Sequence, residues 1–163
     1  MVWSCLVSIL PGMAQTEKLT DYVNPFVGTD GYGNVYPGAQ IPFGGIQISP
    51  DTDSRFYDAA SGYKYNHLTL MGFSLTHLSG TGIPDLGDFL FIPGTGEMKL
   101  EPGTHEDPDQ GYRSRYSHDK EWASPNYYAV ELADYGVKAE MTSGVRSGMF
   151  RFTYPESDNA FIM

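Results

Sequence analysis

The sequence has very little cysteine and few basic residues, and both shortages exclude classes of function. Its one cysteine, Cys5, lies in the first 14 residues, so the rest of the chain can form no disulfide and offers no thiol nucleophile. Only 10 Lys and Arg stand against 20 Asp and Glu, which gives a formal net charge of −10. Because phosphate recognition needs clustered cations, nucleic acid and anionic membranes are poor partners, and a neutral ligand fits better.

Other motifs are missing as well. No P-loop lysine follows the glycine-rich segments, and the spacing after Gly80 and Gly82 does not complete a dinucleotide fingerprint. Ser79 lacks the glycine two residues earlier that a nucleophile elbow requires. No segment reaches the length of a membrane span. Nucleotide binding, serine hydrolysis and membrane crossing are therefore not expected.

Glycine, proline and aromatic residues are abundant, with 19 Gly, 11 Pro, 12 Tyr and 9 Phe. Helix interiors exclude Gly and Pro, whereas strands favour aromatic side chains, so the composition predicts an all-β fold. Alternating or continuous apolar patterns place strands at 45–49, 89–92 (fully buried and ended by Pro93), 112–116 and 146–154, and a hairpin at 127–142 that turns at 134–136. Such strands are expected to pack as an antiparallel β-sandwich in one domain.

The two ends of the chain carry separate expectations. Residues 1–14 contain an apolar run and then small residues at Gly12 and Ala14, which is typical of a signal peptide cleaved after Ala14. A secreted, periplasmic or cell-surface protein is expected, with residues 15–163 as the sandwich domain; because no basic residue precedes the run, a chance apolar tail is the alternative. Residues 160–163 begin a strand with an unpaired edge, so the sequence is interpreted as truncated.

Two glycine-rich segments look like parts of a site. Residues 72–88 combine His77 with several hydroxyls and two carboxylates, and residues 24–44 combine glycines with aromatic rings. Such loops suit a polyhydroxylated ligand, and we expect the two loops to lie close together. Asp85 and Asp88 are expected to fix their loop by hydrogen bonds. Asp30, Asp51 and Asp53 are expected to form turns, because no calcium-loop glutamate accompanies them.

Several long motifs occur in one order. They are V-N-P-F-V-G-T, Y-P-G-A-Q-I-P-F-G, Q-I-S-P-D-T, S-G-Y-K-Y, G-F-S-L-T-H-L-S-G-T-G and L-G-D, followed by stretches at 116–128 and 142–152. In this order the chain resembles the N-terminal domain of glycoside hydrolase family 92, the calcium-dependent exo-acting α-mannosidases. The resemblance covers nearly everything after the possible leader.

The resemblance implies a non-catalytic role for this chain. In that family the catalytic acid, the base carboxylates and the calcium ligands lie mainly in a following (α/α)₆ barrel, where terminal α-mannose is removed from glycans with inversion. The chain is therefore interpreted as truncated before the barrel, inactive alone, without catalytic or metal-binding residues, and partnered by that barrel and a mannose-containing glycan. A stand-alone carbohydrate-binding or structural interface module is the alternative.

The resemblance also implies which residues face the sugar. The expected substrate-binding residues are Gly38, Phe43, Gly44, Tyr57, Asp58 and His77. The family usually has a tryptophan where Tyr57 stands and histidines where Lys64 and Leu75 stand, so sugar contacts transfer less directly there. For His77 two roles stay open, sugar contact and bracing of Ser79 and Asp88, and bracing is favoured.

Overall fold

The computed structural model describes residues 17–53 and 57–163, except for the side chain of Asp58. Within those residues the regular structure consists of β-strands and short 3₁₀ helices, without an α-helix. The 3₁₀ helices are Leu19–Tyr22, Tyr57–Ala59, Pro108–Gln110 and His118–Lys120. The strands are β1 Ser49–Asp51, β2 Thr69–Leu70, β3 Gly72–Ser74, β4 Pro93–Thr95, β5 Ser114–Arg115, β6 Glu121–Ser124, β7 Tyr127–Leu132, β8 Val137–Ser143, β9 Gly148–Thr153 and β10 Ala160–Ile162. None of the helices in the described part of the chain has the length and apolar character that crossing a membrane requires.

The longest strands form one antiparallel sheet in the order β6-β7-β8-β9. The predicted hairpin is confirmed: Val130 on β7 pairs with Ala139 on β8, and Gly136 closes the turn with φ 64°. Period-two alternation sends every second side chain of each strand to one face. That face is buried on both hairpin strands, as the sequence predicts.

A second layer, made of short antiparallel pairs, covers the buried face of this sheet. The pairs are β1 with β3, β2 with β5, and β4 with β10. The rings of Phe73 and Phe152 lie 6.4 Å apart between centroids, and those of Phe91 and Phe150 lie 5.4 Å apart, so side chains of the two layers interdigitate. The core that they enclose contains Ala39, Ile48, Leu70, Phe73, Ile92, Tyr116, Tyr128, Val130, Leu132, Ala139 and Met141. The all-β antiparallel sandwich is confirmed.

Two predicted strands are displaced. The strand expected at 45–49 begins at Ser49 and includes Pro50, which pairs with Phe73; a proline fits there because β1 has a partner on one side only. In the apolar run 89–92, Phe89 is 75% exposed at φ 55°, and only Ile92 is fully buried. The expectation of a buried strand at 89–92 is therefore wrong, and β4 starts at Pro93, where that strand was expected to end.

The last strand is present, with one edge paired and, as predicted, the other edge without a strand partner among the described residues. β10 pairs along its length with β4, and Ile92 and Met163 exchange backbone hydrogen bonds of 3.0 Å. Gly94 makes this pairing possible, because a Cβ at that position would lie 2.4 Å from the ring of Phe161. The possible signal peptide, residues 1–14, lies outside the described residues.

Candidate functional site

The two glycine-rich loops meet, as the sequence predicts. The backbone N–H of Gly80 donates to the carbonyl oxygen of Asn34 at 2.6 Å. The rings of Tyr36 and His77 lie 5.0 Å apart between centroids. Gly38 allows this fold because a Cβ there would lie 2.0 Å from the carbonyl oxygen of Ile48. Residues 24–44 and 72–88 therefore form one continuous surface, which we call the loop surface.

An exposed aromatic pair stands on that surface. Tyr57 is 61% exposed, Tyr32 is 78% exposed, and their ring centroids are 6.1 Å apart. Gly82 makes room for Tyr57, because a Cβ at Gly82 would lie 2.2 Å from that ring. The ammonium of Lys64 lies 5.6 Å from the centroid of Tyr32 and donates to the carbonyl oxygen of Gly31 at 2.6 Å. The two rings are thus held in place while their faces stay accessible.

A polar pocket of about 220 Å³ lies along the same loops. It is lined by Val23, Pro25, Tyr36, Gly38, Gln40, Ser79, Ser124, Pro125 and Asn126. The hydroxyl of Tyr36 donates to Oε1 of Gln40 at 2.6 Å. Burial raises the pKa of Tyr36 to about 12, so its hydroxyl stays protonated at neutral pH. The pocket can therefore exchange hydrogen bonds with a neutral ligand. Tyr36 does not serve as a general base there, because its hydroxyl keeps its proton.

The wall contributed by the β6–β7 turn is braced from within. Asn126 adopts φ 59°, and its Nδ2 donates to the carbonyl oxygen of Ser143 at 2.9 Å. Its Oδ1 accepts from the backbone N–H of Ser143 at 3.0 Å and from the Ser143 hydroxyl at 2.7 Å. These bonds fix the turn against β8, so the pocket wall is preformed. Sequence reasoning missed Asn126, although the Ser-Pro-Asn run is a turn signal.

His77 lies beneath the loops, with its side chain 2% exposed. Its Nε2 lies 3.0 Å from Oδ1 of Asp51 and 3.0 Å from the hydroxyl of Ser74, and its Nδ1 lies 2.8 Å from the carbonyl oxygen of Gln47. Burial lowers the pKa of His77, but the charge and hydrogen bond of Asp51 and the Gln47 carbonyl outweigh burial and raise it overall. A bracing role fits this geometry, although the expected partners Ser79 and Asp88 are wrong.

The Asp51, Ser74 and His77 side chains do not form a nucleophilic triad. In such a triad the histidine stands between the serine and the carboxylate, whereas here the Ser74 hydroxyl donates directly to Oδ2 of Asp51 at 2.6 Å. Ser74 is also completely buried. The cluster therefore supports the loops rather than carrying out chemistry.

The turn-forming role expected for Asp51 is wrong, because it lies in β1, and that of Asp53 stays a prediction. Both side chains are buried, Asp51 in the cluster beneath the loops and Asp53 with its carboxylate 3.6 Å from Nε2 of His105. Asp85 and Asp88 do fix their loop: Asp85 accepts from the backbone N–H of Leu86 at 2.8 Å, and Asp88 accepts from the hydroxyl of Thr76 at 3.2 Å. Asp85 and Asp88 are therefore engaged in hydrogen bonds within their loop and are not arranged as a catalytic acid and base.

The remaining predicted site residues divide into two groups. Gly38 lines the pocket, and Tyr57 stands at the exposed aromatic pair. Phe43 and Gly44 lie on a neighbouring tip instead, where Gly45 N–H donates to the carbonyl oxygen of Val145 at 2.8 Å. Phe43 is fully exposed there at φ 60°. The backbone of Asp58 lies in the 3₁₀ helix Tyr57–Ala59, and the sugar contacts of all these residues stay predictions.

Across residues 17–53 and 57–163, no three His, Cys, Asp or Glu side chains are grouped so that they could hold a metal ion. We assign no metal-dependent step to the described residues.

A protein-family model and several known glycosidases are similar to this chain. A model of the glycosyl hydrolase family 92 N-terminal domain matches residues 22–163. An uncharacterized secreted glycosidase from Arthroderma benhamiae is 30% identical over 139 residues, which cover 84% of this chain and 17% of that protein.

Two solved structures also resemble this chain. An inverting mannosidase of family GH92 from Bacteroides thetaiotaomicron is 29% identical with a TM-score of 0.71, covering 90% of this chain and 20% of that one. A GH92 family glycosyl hydrolase is 31% identical with a TM-score of 0.72, covering 88% of this chain and 20% of that one. The chain spans at most one fifth of the length of these relatives.

Proposed function

Because this chain belongs to glycosyl hydrolase family 92, as its N-terminal domain, we propose that it forms the non-catalytic wall of the sugar pocket in an α-mannosidase. The parent reaction is the inverting hydrolysis of terminal α-mannose from glycans. The catalytic carboxylates and the calcium ion belong to an (α/α)₆ barrel against which the sandwich packs. A secreted or cell-surface location accords with the secreted relative.

The observation that carries the proposal is the exposed ring of Tyr57 seated on the bare backbone of Gly82. Sugar rings present C–H faces that pack on aromatic side chains, and their hydroxyls bond to nearby polar groups. Tyr32 supplies a second ring 6.1 Å away, and the neighbouring loop pocket supplies hydroxyl and amide groups. This arrangement suits a neutral, hydroxyl-rich ligand and agrees with the net charge of −10.

We propose that the catalytic acid and base lie outside these loops. Inverting hydrolysis needs an acid and a base carboxylate about 6.5–9.5 Å apart with space for water between them. Asp85 and Asp88 are committed to loop hydrogen bonds, and the raised pKa of Tyr36 makes it a poor base. The role left to this chain is to bind and orient the sugar. Calcium, when bound by the barrel, supplies electrostatic stabilisation there.

Exposed apolar residues on the loops support packing against a second domain. Phe43, Leu86 and Phe89 are all exposed, and all three have positive φ values of 60°, 68° and 55°. Left-handed backbone at bulky residues is unfavourable and persists where the surroundings or a function require it. Apolar side chains held outward in this way fit an interface with a barrel better than a surface that faces water.

Activity measurements with and without a barrel test the proposal. The chain alone, with or without calcium, is expected to release no product from an aryl α-mannoside. Joined to the catalytic domain of the solved mannosidase in place of that enzyme's own N-terminal domain, it is expected to restore turnover that a chelator abolishes. Turnover by the chain alone would contradict the proposal, as would a folded, two-domain product without activity.

A further inference from the structure

The outer face of the four-stranded sheet carries a row of side chains that crosses all four strands. The strand register aligns Trp122 with Ala129, Ala129 with Glu140, and Glu140 with Arg151. These residues alternate with the core residues of the same strands, so they lie on the face away from the core. With neighbouring strands about 4.8 Å apart, the row is about 14 Å long.

One end of the row is aromatic. Trp122 is 44% exposed although it lies on a strand, and the ammonium of Lys138 stands 5.7 Å from its ring centroid. Its partner across the ladder is Ala129, which is small and is covered by its neighbours, with 1% of its surface exposed. The cation–π contact fixes the indole and occupies one of its faces, and a ligand can reach the part of the ring that stays exposed.

The other end carries an oriented guanidinium. Arg151 donates from Nε to Glu140 at 2.8 Å and from Nη2 at 2.6 Å, so a carboxylate holds its plane. The hydroxyl of Tyr127 donates to the same carboxylate at 2.7 Å. The hydrogen bonds from Arg151 and then from Tyr127 lower the pKa of Glu140 to about 2, so the pair stays ionised. The side chain of Arg151 is nevertheless 72% exposed, and its Nη1 takes part in neither of these hydrogen bonds.

A pocket lies beside the ion pair. Its volume is about 210 Å³, and its lining residues are Tyr127, Glu140, Met141, Thr142, Met149 and Arg151. Met149 is 68% exposed and adds a flexible apolar contact. The guanidinium of Arg151, a fixed donor array on β9, therefore borders an apolar pocket and lies three strands away from the indole on β6.

From this arrangement we propose that the outer face, defined by Trp122, Tyr127, Glu140 and Arg151, is a binding surface for a neutral oligosaccharide laid across the strands. One sugar ring packs on the indole of Trp122, and the guanidinium of Arg151 donates to hydroxyls of a sugar unit farther along. Glu140 is a positioning residue, because it orients Arg151.

Charge decides between a neutral and an anionic ligand. The positive charge of Arg151 is matched by Glu140, and Lys138 also lies 3.5 Å from Glu140. The whole chain carries a net charge of −10, which repels anions. Hydroxyls accept hydrogen bonds from a neutralised guanidinium without that penalty. The proposal is independent of the loop site, because the row shares no residue with the loops around Tyr57 and Gly38.

Tryptophan fluorescence gives a direct test, because the sequence has only two tryptophans, Trp3 and Trp122. In the full chain carrying Trp3→Phe, the emission reports on Trp122 alone. Titration with mannotriose is expected to give a saturable change, and Arg151→Lys is expected to weaken the affinity about tenfold, which corresponds to about 1.4 kcal/mol. Lysine keeps the charge but loses the bidentate geometry.

Matched controls accompany this titration. Leu100→Ala is expected to leave the mannotriose affinity reported by Trp122 unchanged, while Trp122→Ala is expected to weaken binding in calorimetry with its circular dichroism spectrum intact. The absence of a saturable signal up to millimolar sugar would overturn the proposal. So would unchanged affinity in folded Arg151→Lys.

Discussion

The four-stranded sheet and the layer of short strands are built on different principles. The sheet has strands of four to seven residues and buries the apolar side chains of alternating positions. The opposite layer has strands of two or three residues and buries polar side chains such as Asp51, Ser74, His77 and Arg113. The two loops of the candidate site belong to the second layer, while the β6–β7 turn of the sheet adds one wall of its pocket. The position of the loops is therefore set by buried hydrogen bonds as much as by apolar packing.

This difference shows why the loops can be both irregular and fixed. A long loop loses backbone entropy when it is ordered, and apolar burial alone repays little of that loss where side chains are small or polar. Buried polar groups that find all their partners compensate, because leaving any one of them unsatisfied is costly. The Asp51 carboxylate, which bonds both Ser74 and His77, holds β1, β3 and the second glycine-rich loop together.

The largest loss of stability is expected from the sheet. Leu132 is completely buried, and Leu132→Ala is expected to lower the free energy of unfolding by about 2–5 kcal/mol through lost burial and a cavity. Denaturant unfolding measures the change. Leu100, which is 76% exposed, is the matched control, and Leu100→Ala is expected to stay within about 0.5 kcal/mol. Similar losses in the two variants would contradict the placement of the core.

A smaller loss is expected in the polar layer. Asp51→Asn preserves shape but puts an amide where the carboxylate accepts from Ser74 and His77, so a destabilisation of about 1–3 kcal/mol is expected. Asp158 is exposed, and Asp158→Asn serves as the control with no measurable effect. If Asp51→Asn were also neutral, hydrogen bonding would not explain how the loops are fixed.

The dependence of stability on pH separates the layers further. The pKa of His77 is raised in the folded state, because Asp51 and Gln47 outweigh the effect of burial. Its contribution is therefore complete below the ordinary value of 6.5 and is lost as pH rises through the higher folded pKa. The difference in unfolding free energy between the wild type and His77→Gln should shrink with rising pH. A difference that grew above neutral pH would contradict the sign.

The sheet is expected to respond in the opposite direction, by a smaller amount. Arg151 and then Tyr127 lower the pKa of Glu140 from 4.5 to about 2, so its contribution is present above pH 4.5 and is lost as pH falls towards 2. Because Arg151 is exposed, solvent screens the pair and the effect is modest. Unfolding curves of Glu140→Gln should show a weaker dependence on pH in this acid range than the wild type, and an unchanged slope would remove Glu140 as its cause.

The contrast between the layers also explains what the sequence could predict. The hairpin of β7 and β8 was predictable because its alternation is regular and its turn contains Gly136. The prediction of a buried strand from the apolar run 89–92 was wrong, because the backbone of Phe89 lies in the left-handed region and its side chain turns outward. No hydrophobic periodicity in the sequence indicates that this side chain points to solvent.

The same holds for the site. Gly38 and Tyr57 were identified from motifs that are continuous in the sequence, and both lie at the joined loops. The partners of His77 were assigned to its sequence neighbours Ser79 and Asp88, whereas Asp51 reaches it through the pairing of β1 with β3. Asn126 enters the pocket from a turn far along the chain. Contacts that depend on tertiary pairing could not be read from local patterns.

If Tyr57, seated on Gly82, faces the sugar of an α-mannosidase, removal of its ring should weaken catalysis. Steady-state kinetics on an aryl α-mannoside test it in the protein that joins this chain to a family GH92 catalytic domain. Tyr57→Ala is expected to lower kcat/KM about tenfold or more, which corresponds to about 1.4 kcal/mol of lost transition-state binding, while Leu100→Ala leaves it unchanged. Equal kcat/KM for a folded Tyr57→Ala variant and the unsubstituted protein would contradict the account.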